Sequence, residues 1–139
     1  MMTGLFVWTA CLAFAPLLDW RSPDSGFVRG PKRAPLTVVY VGADDCAPCV
    51  RWRRERRPDL ERSTVFQRIE YREIIAAKLS SALDDSYWPE PLRDLRPIVL
   101  KGGGGVPYWI LMRGNRVIAS AGGESAWDRQ IWPLIVLES

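Results

Sequence analysis

The sequence predicts an α/β fold in which helices flank a central mixed β-sheet. An apolar, β-branched run at Leu36–Val41 has the composition of a strand that is covered on both faces. Two later runs, Val106–Met112 and Val117–Ala121, are joined by a turn at 113–116 and predict a β-hairpin. Apolar residues from Ser125 to Leu137 are spaced for one face of a closing helix. With 139 residues, we expect one domain around one core.

Weaker patterns predict further elements between these landmarks. The first is a helix that ends at Arg57 before Pro58, with a continuation capped by Asp59. A partly exposed strand at Ile69–Ile75 and a short helix at Ala76–Leu83 follow. The last is a helical turn at Leu92–Leu95 that closes before Pro97. The glycines at 102–105 lack the Lys-Ser/Thr pair of a phosphate-binding loop, so we interpret them as flexible or closely approached backbone. Pro133 is expected to kink or divide the closing helix.

The first 35 residues differ in composition from the rest. Residues 1–18 carry no charged side chain and form an apolar segment, which predicts a signal sequence or a membrane anchor. Residues 19–35 have the Pro- and Gly-rich composition of a linker, and the folded domain is expected at 36–139. We therefore expect an exported protein, either periplasmic or tethered to the membrane through its N-terminus. The alternative is a hydrophobic element packed on a cytoplasmic domain, since basic residues follow the apolar run and none precede it.

Composition excludes several kinds of site. The chain has no histidine, so it contains no Ser-His-Asp triad, no histidine-based metal site and no Cys-His nucleophile. Its net charge of +3 is too small to predict a nucleic-acid partner. Basic residues are concentrated once, in a run that we call the arginine run: Arg51, Arg53, Arg54, Arg56 and Arg57. They are either a solvated helix face or a source of positive potential that favours a thiolate and attracts acidic partners.

The motif that carries chemistry is Cys46-Ala47-Pro48-Cys49, at the junction of the first strand and a helical stretch. Unpaired N–H groups and a partial positive charge at a helix N-terminus stabilise a thiolate. Cys46 and Cys49 are three positions apart, so they share a helix face and can close a disulfide. Pro48 is tolerated in the first turn because its missing N–H has no helical partner there. The motif therefore predicts a dithiol redox site.

In these features the chain resembles the thioredoxin-like superfamily over Leu36–Leu137. The resemblance is carried by the strand–helix junction at 43–49 and by Gly105-Val106-Pro107, which is followed by a hairpin and a glycine pair. It implies that Cys46 is the attacking thiolate and that Cys49 resolves the mixed disulfide. It also implies a cis Pro107 that lies against the sulfurs, excludes metal and presents the Val106 backbone to an extended substrate.

The chain departs from the family pattern in three ways. Asp45 precedes the first cysteine where the family usually has an aromatic residue, and like Asp44 its charge disfavours a nearby thiolate. Tyr40 stands where thioredoxins carry a buried acid that helps to deprotonate the resolving cysteine. No histidine lies between the cysteines, as it does in strongly oxidising members. The Ala47-Pro48 pair is closer to the reducing, membrane-tethered TlpA-type proteins.

These observations predict a thiol–disulfide oxidoreductase, with the reducing direction favoured. Its expected partners are protein thiols or disulfides and an upstream redox protein, and we expect a monomer without a cofactor or a metal. Two alternatives stay open. One is a catalytically idle thioredoxin-fold module with a binding or chaperone-like role, which the residues Asp45 and Tyr40 favour. The other is a metal or iron–sulfur site shared across a dimer, because one chain offers two of the four close cysteines such sites usually need.

Overall fold

A computed structural model describes residues 33–139 of the chain. Within that part, four strands form one sheet: β1 at Leu36–Ala43, β2 at Ile69–Ala76, β3 at Tyr108–Arg113 and β4 at Arg116–Gly122. Their order is β2-β1-β3-β4. β1 pairs in parallel with β2 and antiparallel with β3, and β3 and β4 form an antiparallel hairpin. This mixed sheet with its helices is a thioredoxin-like α/β fold, as the resemblance implies.

Four α-helices occur in the same part of the chain: α1 at Ala47–Glu55, α2 at Arg57–Arg62, α3 at Arg96–Lys101 and α4 at Trp132–Glu138. A π-helical turn at Trp127–Ile131 leads directly into α4. Short 3₁₀ turns make up most of the remaining regular structure: Phe66–Arg68, Leu79–Ser81, Asp85–Tyr87 and Glu90–Leu95.

The strand β1 is buried along its whole length, and its side chains supply two cores on opposite faces of the sheet. Side chains alternate between the faces of a strand, so every second residue points the same way. Leu36, Val38 and Tyr40 pack with residues of α1, α2 and the C-terminal helical segment. Val39 and Val41 pack on the other face with the 3₁₀ turns and α3. The sheet is therefore covered on both sides, as the apolar run at 36–41 predicts.

Several boundaries differ from those expected. Strand β3 begins at Tyr108, so Val106 and Pro107 belong to the connection that precedes it. Ala76 ends β2, and only a 3₁₀ turn at Leu79–Ser81 forms where a short helix was predicted. The helical turn expected at Leu92–Leu95 is present as a 3₁₀ helix at Glu90–Leu95 that ends before Pro97. Pro97 itself lies in the first turn of a further helix, α3, which was not expected. A proline is tolerated in a first turn because it lacks only an N–H that has no helical partner there.

Pro133 and part of the glycine run agree with the sequence patterns. Pro133 lies in the first turn of α4, where the π-helical turn gives way to the α-helix, so the closing helix is divided. Gly103 and Gly104 have positive φ values of 99° and 67°, which favour glycine. A side chain at Gly102 would collide with the ring of Tyr108. Within the run, Gly102 is therefore closely approached backbone, whereas Gly103 and Gly105 have open space around them.

The predictions for residues 1–18, and for 19–32 of the linker, lie outside the described residues, as does Cys11. Among the helices of residues 33–139, none combines the length and the apolar composition needed to cross a bilayer.

Candidate active site

The first turn of α1 is built on the two cysteines. Cys46 is the N-cap residue, with an extended backbone, and its sulfur accepts a hydrogen bond from the Cys49 N–H at 3.3 Å. Pro48 lies in the first turn, where no hydrogen-bond donor is lost. Ala47 is exposed and Pro48 half-buried. The local sequence therefore places a sulfur where a Ser or Asp oxygen usually caps a helix.

Cys46 and Cys49 are joined by a disulfide, with a Cα–Cα distance of 5.2 Å. Cys46 is 4% exposed and Cys49 is fully buried, so Cys46 is the sulfur nearer to solvent. Both pack with Ala43, the last residue of β1, and with Val106. The predicted proximity of the two sulfurs is therefore present in the fold.

The segment Val106-Pro107 lies against the disulfide, 60 residues along the chain from it. The peptide bond between these residues is cis. The Val106 carbonyl oxygen is 3.5 Å from the Cys46 sulfur, and Pro107 is buried. Because the carbonyl is an acceptor, it interacts favourably with a Cys46 thiol and unfavourably with a thiolate. The Cys49 N–H acts in the opposite direction.

Tyr40 is the polar group that lies behind Cys49. It is fully buried, and its hydroxyl donates to the Cys49 carbonyl oxygen at 3.4 Å. Gly42 makes room for the ring, because a Cβ there would lie 2.7 Å from Tyr40 Cζ. Burial raises the pKa of Tyr40 well above its usual value of 10.0. The phenol therefore stays neutral at physiological pH and cannot replace a carboxylate as a proton acceptor.

The two acids before Cys46 have different partners. Asp44 pairs with the guanidinium of Arg53 at 2.9 Å. Asp45 accepts a hydrogen bond from the backbone N–H of Leu79 at 2.6 Å. Both carboxylates are on the exposed side of the loop. Among residues 33–139, a salt bridge balances the charge of Asp44 and none balances that of Asp45.

Most of the arginine run is engaged in ion pairs at the surface. Its pairs are Arg51–Glu124, Arg53–Asp44, Arg56–Asp128 and Arg57 with both Glu61 and Glu73. Among the described residues, Arg54 is the one member of the run without a salt bridge. The run is thus largely balanced by carboxylates, which agrees with a solvated helix face and leaves little positive potential for an acidic partner.

The sequence reasoning identified the cysteines, Val106 and Pro107, and the structure brings them together. It missed Leu79, which bonds Asp45, and also Gly42 and Trp52, which lie against the ring of Tyr40. Leu79 contributes a backbone N–H, which no sequence pattern reveals. In the part of the chain that the structure describes, no cluster of three or more His, Cys, Asp or Glu side chains is placed to hold a metal ion.

Comparison with known proteins finds distant similarity among solved structures. No family model matches the chain, and no curated protein matches it. Among solved structures, it is similar to thioredoxin f2 from Chlamydomonas reinhardtii, with 18% sequence identity and a TM-score of 0.40. The similarity covers 76% of this chain and 78% of that one. A likeness this distant is no guide to activity, so the fold assignment rests on the strand order and connections described above. The described residues therefore form a thioredoxin-like fold with a disulfide at the start of its first helix.

Proposed function

We propose that the protein is a thiol–disulfide oxidoreductase that exchanges electrons with protein cysteines through Cys46 and Cys49. One observation carries the proposal: the disulfide joins the N-cap of α1 to its first turn, next to the Val106 carbonyl. Structural disulfides have no need of a helix N-terminus, whereas a reactive thiolate gains from one.

In the reducing direction, the Cys46 thiolate attacks one sulfur of a substrate disulfide. A bond forms between Cys46 Sγ and that sulfur, the substrate S–S bond breaks, and the departing thiolate takes a proton from water. Cys49, as a thiolate, then attacks Cys46 Sγ, which closes the internal disulfide and releases the second substrate thiolate. Two electrons pass to the substrate, and the product is the disulfide seen in the structure.

The exposure of the two sulfurs supports this division of roles. Cys46 retains a small exposed area for an incoming disulfide, and Cys49 has none. The Cys49 N–H and the helix N-terminus favour a thiolate at Cys46. No carboxylate occupies the Tyr40 position to accept the Cys49 proton, so that proton passes to solvent or to a substrate group.

The reducing direction is part of the proposal, and the Ala47-Pro48 pair supports it through its likeness to TlpA-type proteins. A reductase of this kind needs an upstream dithiol protein that supplies two electrons per cycle. Export or membrane tethering through residues 1–18 belongs to the same proposal. A reporter that is active on one side of the membrane only, fused after Pro35, tests the location.

The test of the activity is an insulin-type disulfide-reduction assay with single cysteine variants. We expect activity in the unaltered chain and none in Cys46→Ser or Cys49→Ser. Cys49→Ser should accumulate a mixed disulfide with substrate through Cys46, because the resolving thiol is missing. Cys11→Ser is the matched control and should retain activity. Full activity in Cys46→Ser would refute the proposal, and an inactive but folded chain that binds partners would favour the binding-module alternative.

A further inference from the structure

The acid directly before the reactive cysteine is held by a contact across the chain. Asp45 Oδ1 accepts a hydrogen bond from the Leu79 N–H at 2.6 Å, over a separation of 34 residues. Leu79 begins the 3₁₀ turn that follows β2. The bond therefore ties the loop that carries Cys46 to the segment beyond the neighbouring strand, and it fixes the carboxylate beside the cysteine.

The partner of Asp45 is a neutral amide, and this distinguishes it from Asp44. The guanidinium of Arg53 balances the charge of Asp44 at 2.9 Å. A backbone N–H satisfies an oxygen of Asp45 but leaves its full negative charge in place. Among the described residues, Asp45 takes part in no salt bridge, so no direct ion pair cancels the charge of the residue that precedes Cys46.

We propose that Asp45 is a positioning and tuning residue whose fixed carboxylate disfavours the Cys46 thiolate and so biases the dithiol towards reducing disulfides. The inference rests on the proposed function, because it concerns the same cysteine pair. A negative charge near a thiol favours its protonated form. A reduced form that is less stabilised as a thiolate gives up its electrons more readily, which is the behaviour of a reductant.

The other charged groups near Cys46 differ in whether they are paired. From α1, Arg53 is occupied by Asp44 and Arg51 by Glu124, Arg54 and Glu55 line the same surface pocket as Asp45, and the first turn of the helix holds no acid. From the segment after β2, Lys78 is exposed and forms no salt bridge within the described residues. The connection 102–107 contains no titratable side chain. The helix N-terminus and the Cys49 N–H favour the thiolate, and Asp45 opposes them.

The deciding variant is Asp45→Asn, which keeps an oxygen acceptor for the Leu79 N–H and removes the charge. We expect the pKa of Cys46 in the reduced protein to fall by about 0.5 to 1 unit, measured by thiolate absorbance. At a pH above that pKa, the equilibrium constant for reduction of the disulfide by glutathione should rise about three- to tenfold. A tenfold change corresponds to about 30 mV.

Two further variants separate charge from structure. Asp45→Ala should shift the Cys46 pKa as Asp45→Asn does, and in addition should speed hydrogen exchange at the Leu79 amide, since the bond is lost. The double variant Asp44→Asn/Arg53→Gln removes a balanced pair that joins this loop to α1, and it should leave both the Cys46 pKa and the glutathione equilibrium unchanged. An Asp45→Asn protein with an unaltered Cys46 pKa and glutathione equilibrium would overturn the inference.

The glutathione equilibrium uses no protein substrate, so its outcome is independent of the insulin assay. An inactive protein whose glutathione equilibrium still shifts in Asp45→Asn would leave the inference standing and the proposed function refuted. The reverse result would leave the function standing and refute the role of Asp45.

Discussion

Tyr40 shows how one residue changes the chemistry available beside the disulfide. Its ring fills the space next to Cys49 and stacks on Trp52 with centroids 4.4 Å apart. Its hydroxyl is bonded to the Cys49 carbonyl and stays protonated, because burial raises its pKa. A buried carboxylate at this position would accept a proton, whereas the phenol only holds the helix start in place. Tyr40 therefore has a structural role and no acid–base role.

Replacing Tyr40 by Phe tests this role. The change removes one long hydrogen bond and keeps the ring, so the free energy of unfolding should fall by about 0.5 to 1 kcal/mol in urea denaturation. The pH dependence of the reduction rate should be unchanged from about pH 6 to about pH 9, because a neutral phenol does not titrate there. A changed pH profile in Tyr40→Phe would show that the hydroxyl takes part in proton transfer.

At the scale of elements, aromatic contacts of one buried side chain hold helix α1 in place. The surface ion pairs of the helix contribute little to its stability. Trp52, on the buried face, contacts Tyr40, Trp127 and Trp109, with centroid distances of 4.4 to 5.6 Å. Within the described residues its indole N–H has no hydrogen-bond partner. On the outer face, Arg51 and Arg56 reach acids near the C-terminal helical segment, but these pairs are half-exposed. Burial therefore fixes the helix that positions the cysteines.

Two substitutions separate the stability contribution of a buried side chain from that of a surface ion pair. Trp52→Ala should cost about 3 to 5 kcal/mol of unfolding free energy, because a large buried side chain is deleted. Arg56→Gln should cost less than about 1 kcal/mol, since an exposed pair with Asp128 is screened by water. Denaturant unfolding of both variants measures the difference. Trp52→Phe should lie between them, because it keeps an aromatic contact and removes the unpartnered N–H.

Strand β1 needs a glycine where the ring of Tyr40 crosses it. In Gly42→Ala, the new Cβ would lie 2.7 Å from Tyr40 Cζ, so the ring must move within a packed core. We expect a loss of about 1 to 3 kcal/mol in stability. Gly105→Ala is the matched control, because no atom lies within 4 Å of the added Cβ, and its unfolding midpoint should hardly change. Equal effects of the two changes would argue against the crowding at Gly42.

At the scale of the whole molecule, the sheet is covered on both faces, and two tyrosine hydroxyls are buried against it. Ionising a buried hydroxyl costs more free energy than ionising one in water. Tyr40 on β1 and Tyr71 on β2 lie on the same face, in the core cluster that includes Trp52. Burial raises the pKa of both hydroxyls, and for Tyr71 the nearby Glu73, which accepts its hydrogen bond, raises it further. At alkaline pH, the folded chain therefore keeps the protons of both tyrosine hydroxyls, whereas the unfolded chain would lose them.

Because the two tyrosine pKa values differ between the folded and unfolded chain, the free energy of unfolding depends on pH. The folded pKa values exceed the unfolded value of 10.0, so the stabilisation is complete below about pH 10 and is lost as the pH rises further. The free energy of unfolding should fall by up to about 1.4 kcal/mol per pH unit for each tyrosine. The double variant Tyr40→Phe/Tyr71→Phe should show a flatter decline. An equally steep decline in that variant would mean that other groups control alkaline unfolding.

Local sequence patterns were sufficient to predict much of the fold and the proximity of Cys46 and Cys49. The β-branched run at 36–41 is buried on both faces, the hairpin forms around residues 113–116, and the cysteines at i and i+3 meet because one helical turn fixes their spacing. Such features depend on residues close in sequence. The connection between β2 and β3 was less predictable, because its 3₁₀ turns and α3 are set by packing on the sheet and have no long periodic pattern of their own.

By itself, the sequence determined that this chain has an α/β fold with a C-x-x-C motif at a strand–helix junction and with Tyr40 in the strand before it. Only the tertiary structure decided which charges remain beside Cys46. Arg53 neutralises Asp44, Arg51 and Arg56 pair with acids more than 70 residues away, and the amide of Leu79 holds Asp45 without cancelling its charge. The physical reason is that Coulomb interactions and hydrogen bonds depend on distance in space, and these partners lie up to 73 residues apart along the chain.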